Sequence, residues 1–321
     1  MSEPLILALP SKGRLKEQTD AWLADCGFVV QAAGGARGYR ASIDKLPGAQ
    51  VQLLSASDIA AAVESGEVHL GITGEDLIRE RGEGVDARVM LLRALGFGRA
   101  DVVVAAPKSW IDVDAMADVE EVAAAYLART GRRLRVATKY LVQTRAFFAR
   151  HGVADYRIVE SGGATEGAPA AGAAELVVDI TTTGATLAAN NLKIIADGVI
   201  LKSEAQLAAG LKASWTPDQV ETVRFFLRTV EARARAKGLA SLAWPTSQEK
   251  AAQAAVQPFL QNGSAPGAQG LLTPMKTLFD AANALAQAGI GPAAASRPDY
   301  VFEPECVAAD TLAARLGFSA P

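Results

Sequence analysis

The stretch Glu175-Leu176-Val177-Val178-Asp179-Ile180-Thr181-Thr182-Thr183-Gly184-Ala185-Thr186-Leu187 is the most informative in the chain. Its short apolar run, Leu176 to Ile180, reads as a buried strand that carries one carboxylate, Asp179, near its end. A loop of small and hydroxylated residues follows, and Leu187 onward reads as a helix. Amides at a helix N-terminus are unpaired and carry partial positive charge. Gly184 lets the backbone come close to an anion. Thr182, Thr183 and Thr186 add hydroxyl donors, and the Ala185 amide lies among them. The order strand, acid, loop, helix makes a phosphate cradle that needs no lysine. The plainer reading is a threonine-rich turn that only caps a helix.

The same alternation extends in both directions. Leu5–Leu9 is a strand candidate closed by Pro10, with a loop through Lys12-Gly13-Arg14 and a helix over Leu15–Cys26. Val51–Leu54 and Val68–Ile72 flank a helix over Ile59–Ser65 that Ser57 or Asp58 can cap. Val102–Ala106, Leu134–Ala137 and Leu192–Ile195 are further strands. Helices over Val119–Arg129, capped by Asp118, and Tyr140–His151 lie between them. Alternating strands and helices predict mostly parallel sheets. Pro217 suits the first turn of a helix with Val220, Val223, Phe226, Leu227 and Val230 on its buried face. Beyond Gly238 charges thin out and Gly, Pro, Ala and Gln accumulate. A linker is expected near 239–250, then a helix capped by Thr273 with Pro274 in its first turn and Gly289 at its end, then a helix over Glu305–Leu316.

The bulk numbers agree with a soluble globular chain. It has 321 residues, 50% hydrophobic and 21% charged, with a net charge of −3. No general attraction to nucleic acid or anionic membrane follows, so any polyanion must be held by local cations and amides. No export signal and no span of about 18 apolar residues is seen, and Cys26 and Cys306 form no spaced motif. A reduced, cytoplasmic setting is expected. His69 and His151 are too few and isolated for a histidine-rich metal site and read as structural or surface residues.

The loop at 182–186 resembles the phosphoribosyl-diphosphate loop of phosphoribosyltransferases. Purine-salvage members have two adjacent acids before it; here the pair is Val178-Asp179, with one acid, as in the ATP phosphoribosyltransferase family. Other segments are similar to that family: Ala8–Leu15 with Lys12 and Arg14; Ser57-Asp58-Ile59 with Leu70–Asp76, in which Gly71 and Gly74 suit a tight turn beside a nucleotide and Asp76 is either a group of the site or only a helix cap; Leu95–Arg99 as the crossing into a second lobe; Val136–Tyr140 with Thr138 and Lys139; and Glu160, Gly163, Glu166, Ala168 and Pro169. The resemblance covers roughly residues 4–235.

It implies an α/β fold with a two-lobed core like a type II periplasmic binding protein. Lobe I is expected over 1–97 plus about 190–238 and lobe II over 98–189, with 239–321 a mainly helical C-terminal extension. The implied reaction is attack of adenine N1 of ATP on the ribosyl C1 of phosphoribosyl diphosphate, releasing pyrophosphate. Asp179 and residues 182–186 would bind phosphoribosyl diphosphate. Lys12 and Arg14, with Mg²⁺, would stabilise the leaving group. Lys12, Gly13, Arg14, Gly74, Lys139, Glu160 and Glu166 would bind or orient the nucleotide. A homo-oligomer is expected. The family's long form ends in a ferredoxin-like domain that binds histidine, whereas its short form uses a histidyl-tRNA-synthetase-like regulatory subunit. No βαββαβ pattern is legible in 239–321, so the reading leans to a short-type core with an unusual extension. The rivals are a two-lobed ligand-binding module and another phosphoribosyltransferase.

Overall fold

A computed structural model describes residues 3–32, 40–267 and 270–318. The chain begins with β1 (Leu5–Pro10), α1 (Gly13–Asp25), β2 (Val30–Ala32), β3 (Arg40–Ile43), β4 (Ala49–Leu54), α2 (Ala56–Ser65), β5 (Leu70–Gly74), α3 (Glu75–Arg79) and β6 (Val89–Ala94). It crosses to β7 (Ala100–Pro107), α4 (Met116–Thr130), β8 (Leu134–Thr138), α5 (Leu141–Arg150), β9 (Tyr156–Glu160), β10 (Leu176–Thr181), α6 (Ala185–Ala189) and β11 (Leu192–Ser203). It then returns through β12 (Ala205–Gly210) to α7 (Pro217–Ala236). The first sheet has the order β2-β3-β4-β1-β5-β12-β6 and the second β11-β7-β10-β8-β9. These are the two α/β lobes that the family resemblance implies.

Each sheet receives one antiparallel strand from the crossing chain. β12 lies between β5 and β6, antiparallel to both. β7 lies likewise between β10 and β11. The parallel strands are apolar along their length because helices cover both faces. Leu7, Ala8, Val136, Val177 and Val178 have essentially no exposed surface. Gly71 does not form the expected turn. A Cβ there would lie 2.6 Å from side-chain atoms of Ile59 and Val63, so this glycine lets α2 pack closely on β5.

Several boundaries differ from expectation. The return to lobe I begins at Ala205 and not near 190, because β11 pairs with β7 along Leu192–Ser203. Its second half, Ala196-Asp197-Gly198-Val199, mixes charge and glycine and gives no strand signal. The cap of α2 is Ser55, whose hydroxyl accepts from the Asp58 amide. Asp118 lies inside α4, where its carboxylate accepts from the Asp114 and Ala115 amides. Helix α1 starts at Gly13, so Arg14 lies in its first turn and not in a loop.

Residues 25–27 and 220–311 form a second compact unit. α7 from Val220 onward belongs to it, and Val220, Val223, Phe226, Leu227 and Val230 are buried as expected. The rest of the unit carries β13 (Leu239–Ala243), α8 (Glu249–Leu260), β14 (Ala265–Gly267), β15 (Gly270–Pro274), α9 (Leu278–Gln287), β16 (Ala294–Ser296) and the start of α10 (Val307–Arg315). Helical residues outnumber strand residues, as expected, but the missing sheet is a correction. The order is βαββαβ, with an antiparallel sheet β14-β15-β13-β16. The expected linker at 239–250 contains β13. Thr273 and Pro274 end β15 instead of opening a helix, and α9 starts at Leu278. Ala252, Val256, Leu278, Ala281 and Leu285 on the helices meet Leu242 and Leu271 on the strands to form the core.

Candidate functional site

In lobe II, β8 pairs in parallel with both β9 and β10. Thr138 stands level with Glu160 on one side and Val178 on the other. The carboxyl ends of these strands bring Lys139, Glu160 and Asp179 to one edge of the sheet, where ligands of open α/β sheets bind. Glu166 approaches the same edge from the turn Thr165–Gly167. Its charge raises the proton affinity of Asp179. The larger cause of that rise is burial, while the Ile180 amide and Lys139 oppose it.

The loop has the geometry of a helix start. Gly184 has φ 74°, a left-handed conformation that a side chain strains. The Gly184 amide donates to the Thr181 hydroxyl at 2.8 Å, and the Ala185 amide donates weakly to the Thr183 hydroxyl at 3.4 Å. Thr182, Thr183, Ala185 and Thr186 are exposed. The Thr182 hydroxyl donates to the Arg99 carbonyl at 3.2 Å, joining the loop to the lobe crossing. Helix α6 has five residues, so its leading amides, more than a long macrodipole, supply the attraction for an anion.

In lobe I, β1, β4 and β5 run parallel, and their carboxyl ends carry Lys12-Gly13-Arg14, Ser55-Ala56 and Gly74. A cleft of ≈ 480 Å³ joins the two edges, lined by Arg14, Gly74, Asp76, Phe97, Lys139 and Thr182 among others. Gly96 to Arg99 of the expected crossing form one wall. Lys12 is exposed and does not line this cleft; neither do Gly13, Glu160, Glu166, Asp179 or Thr183 to Thr186. The loop thus presents its first threonine to the cleft and its remaining residues to solvent.

Sequence reasoning missed the group at the base of the cleft. Asp76 is 5% exposed and is not a helix cap. Its carboxylate accepts from the Tyr140 hydroxyl at 2.7 Å and the Ser203 hydroxyl at 2.9 Å. Its amide donates to Ser203 Oγ at 3.0 Å. Three separate pieces of chain, α3 of lobe I, the β8–α5 turn of lobe II and the end of β11, therefore meet at one carboxylate. Gly74 makes room for it, since a Cβ there would fall 2.2 Å from Asp76 Oδ1. Burial pushes the Tyr140 phenol far above its ordinary value, and the Asp76 charge adds to this, so Tyr140 stays protonated and donates. Glu80 strengthens the junction by accepting from the Val142 and Gln143 amides at the start of α5. The sequence signals were the family-like runs Leu70–Asp76 and Val136–Tyr140; nothing in either shows that Tyr140 meets Asp76, 64 residues away.

The two histidines are structural or surface groups, as expected. His69 is buried and accepts from the Ile6 amide at Nδ1, with Nε2 3.1 Å from the Ser214 carbonyl. His151 is half-buried beside Asp197. Among the described residues no disulfide forms, and Cys26 and Cys306 are buried thiols. No helix among the described residues is long and apolar enough to cross a membrane.

Comparison with known proteins shows the family. The family model for HisG: ATP phosphoribosyltransferase matches residues 55–229. The chain is 66% identical over 316 residues to the ATP phosphoribosyltransferase of Caulobacter vibrioides (strain NA1000 / CB15N), covering 98% of this chain and 99% of that one. It is 58% identical over 236 residues to that of Rhodopseudomonas palustris (strain BisA53), covering 74% of this chain and 73% of that relative. Among solved structures, the ATP phosphoribosyl transferase (HisG:HisZ) complex from Thermotoga maritima matches with TM-score 0.53 at 24% identity, over 71% of this chain and 96% of that one, a likeness of fold. With a matching family model over more than half its length and such relatives, the chain belongs to the ATP phosphoribosyltransferase family, transferases that act at the first step of histidine biosynthesis.

Proposed function

We propose that the cleft between the two lobes is where ATP and phosphoribosyl diphosphate are joined. The observation that carries this is convergence: Arg14 and Gly74 from lobe I and Lys139 and Thr182 from lobe II line one cleft. The loop Thr182–Thr186 anchors the 5′-phosphate, and Asp179 accepts from the ribose hydroxyls. Arg14 offers a planar fork to phosphate oxygens. Lys139 is a mobile point charge whose Nζ lies 4.9 Å from the centre of the Tyr140 ring. Lys12, outside the cleft lining, reaches the leaving group only by side-chain movement. Adenine N1 forms a bond to C1 as the bond from C1 to the pyrophosphate oxygen breaks with inversion, and the adenine amino group later loses a proton. Catalysis is mostly placement and charge stabilisation.

Among the described residues, no three His, Cys, Asp or Glu side chains form a metal cage. The chemistry of Mg²⁺ is compatible with that, since it keeps waters and binds through one or two carboxylates plus substrate phosphates. Asp179 and Glu166, close enough to feel each other's charge, are the residues that would hold it. Bound there, Mg²⁺ would neutralise charge growing on pyrophosphate. Two cysteines held as thiols, outside any disulfide, suit a cytoplasmic setting. The test is incubation of the purified chain with ATP, phosphoribosyl diphosphate and Mg²⁺, with phosphoribosyl-ATP expected. No product, even with a histidyl-tRNA-synthetase-like subunit added, would overturn the reading.

The second unit favours a further reading over the short-type lean. Its βαββαβ order is the pattern of the regulatory domain that the long form carries. We therefore place inhibition by histidine in this chain, without a separate subunit. Titration of the purified chain with histidine should give saturable inhibition; activity indifferent to histidine would return the reading to the short form.

A further inference from the structure

At the opposite ends of the lobe II strands lies a second concavity, of ≈ 500 Å³, lined by Arg132, Arg133, Arg135, Arg157 and Tyr126. None of these lines the cleft. Arg135 and Arg157 stand level on the paired strands β8 and β9, near their starts. Thr138 and Glu160 are three residues further along those strands, about 10 Å away by strand rise. Arg132 and Arg133 come from the turn after α4.

One guanidinium is fixed. Arg135 Nη2 donates to Glu175 Oε1 at 2.6 Å, and its Nε lies 3.1 and 3.2 Å from the two carboxylate oxygens. The same carboxylate accepts from the Arg135 amide at 2.7 Å and the Tyr126 hydroxyl at 3.2 Å. Glu175 is thereby committed to Arg135. Arg132, Arg133 and Arg157 are exposed, and among the described residues none of the three has an ion-pair partner, unlike Arg135. A single cation near the C-terminus of α4 would suit its dipole. Several guanidiniums around one concavity repel each other and focus positive potential there, while the chain as a whole is acidic. A dense set of planar forks is what binds phosphate oxygens two at a time. The volume exceeds what one phosphate needs and falls within the usual range for small-ligand pockets, about 300–1,000 Å³.

We propose that Arg132, Arg133, Arg135 and Arg157 form a second anion site, separate from the cleft, that takes a diphosphate group. The group is either inorganic pyrophosphate or the diphosphate of a nucleotide. Arg135 is the preset floor, and the other three close on the ligand.

The test is calorimetric titration of inorganic pyrophosphate into the full chain, into R133A/R157A and into Gly184→Val. The full chain and Gly184→Val should share a binding component that R133A/R157A loses, with affinity falling about tenfold or more. That component should weaken as salt rises, and turnover by R133A/R157A at saturating substrate should match the parent. If R133A/R157A titrates like the parent, or if Gly184→Val alone abolishes all binding, the proposal is overturned. It is also overturned if R133A/R157A changes only the assembly state, since the arginines would then serve contacts between copies. Adenosine 5′-diphosphate as second titrant separates the sources. Tighter Arg133- and Arg157-dependent binding than pyrophosphate assigns a nucleotide, and equal binding assigns the bare diphosphate. Should the double variant not fold, hydrogen exchange on the parent decides: added pyrophosphate should slow exchange across 131–135 and 155–158, and unchanged exchange there refutes the site.

Discussion

The two lobes share a scaffold and divide the chemistry. In lobe I the strands run β4-β1-β5-β12-β6, and in lobe II β9-β8-β10-β7-β11, each with its fourth strand antiparallel. Both place their loops at the carboxyl ends of the first three strands. Lobe I offers side-chain charge there, Arg14 with Lys12 beside it, whereas lobe II adds to Lys139, which lines the cleft, the backbone amides and hydroxyls of a short helix start, with carboxylates alongside. One scaffold supports both because the strands only aim the loops, and loop composition decides what is bound. Each lobe also turns on a left-handed glycine, Gly13 at φ 76° and Gly184 at φ 74°.

Those glycines separate the lobes most sharply. Gly184→Val forces a branched side chain into a left-handed conformation beside the anion-facing amides, where Ile194 already lies 3.5 Å from a Cβ position. Affinity for phosphoribosyl diphosphate should fall by about 100-fold or more, since in the proposed site the backbone itself holds the phosphate. Gly13→Ala meets open space and should cost only the conformational strain, about 1–2 kcal/mol, with a small change in KM. Equal effects at the two glycines, measured by substrate titration and thermal melting, would remove the division of labour.

The junction between the lobes comes next in size. Gly74→Ala drives a methyl group into a carboxylate that Tyr140 and Ser203 hold in place. The buried network must break, a loss of about 2–4 kcal/mol on chemical melting. Tyr140→Phe removes one donor and leaves the packing nearly intact, so about 1–3 kcal/mol is expected from the unsatisfied Asp76 oxygen. If the network sets the angle between lobes, Tyr140→Phe also lowers kcat more than it raises KM, because both substrates still bind but meet less well. A pure stability loss with unchanged kcat would reduce the network to packing.

Which features were legible follows from how local their causes are. The apolar strands and the Asp179–Thr186 loop are written in consecutive residues, so composition and order suffice. Asp76 depends on Tyr140 and Ser203, 64 and 127 positions away, and only tertiary structure joins them. The C-terminal sheet failed for another reason. β14 is Ala265-Pro266-Gly267 and β16 is Ala294-Ala295-Ser296, short edge strands without apolar alternation. Such edges avoid the pattern that invites pairing with other chains, and in doing so they hide from sequence. β13 and β15 bury Leu242 and Leu271, but each has only five residues, too few for a period of two to stand out between glycines and prolines.

The smallest predicted effect tests whether the acid limb of activity belongs to lobe II. Burial and the Glu166 charge raise the proton affinity of Asp179, against the Ile180 amide and Lys139. The folded chain therefore holds this proton more tightly than the unfolded chain does. The group favours folding below its unfolded value, and that contribution is lost as pH rises through the raised value. Activity runs the other way under the proposed role of Asp179, in which the ionised carboxylate accepts from the ribose hydroxyls. The acidic limb of kcat/KM should lie above the ordinary aspartate range. Asp179→Asn should lower the plateau by about tenfold, flatten that limb and leave the protein slightly more stable at neutral pH. Arg14→Ala should lower the plateau too, but with the limb unmoved, since it leaves the Asp179 carboxyl in place. A limb that stays in place in Asp179→Asn, or shifts equally in both variants, would move the titrating group out of lobe II.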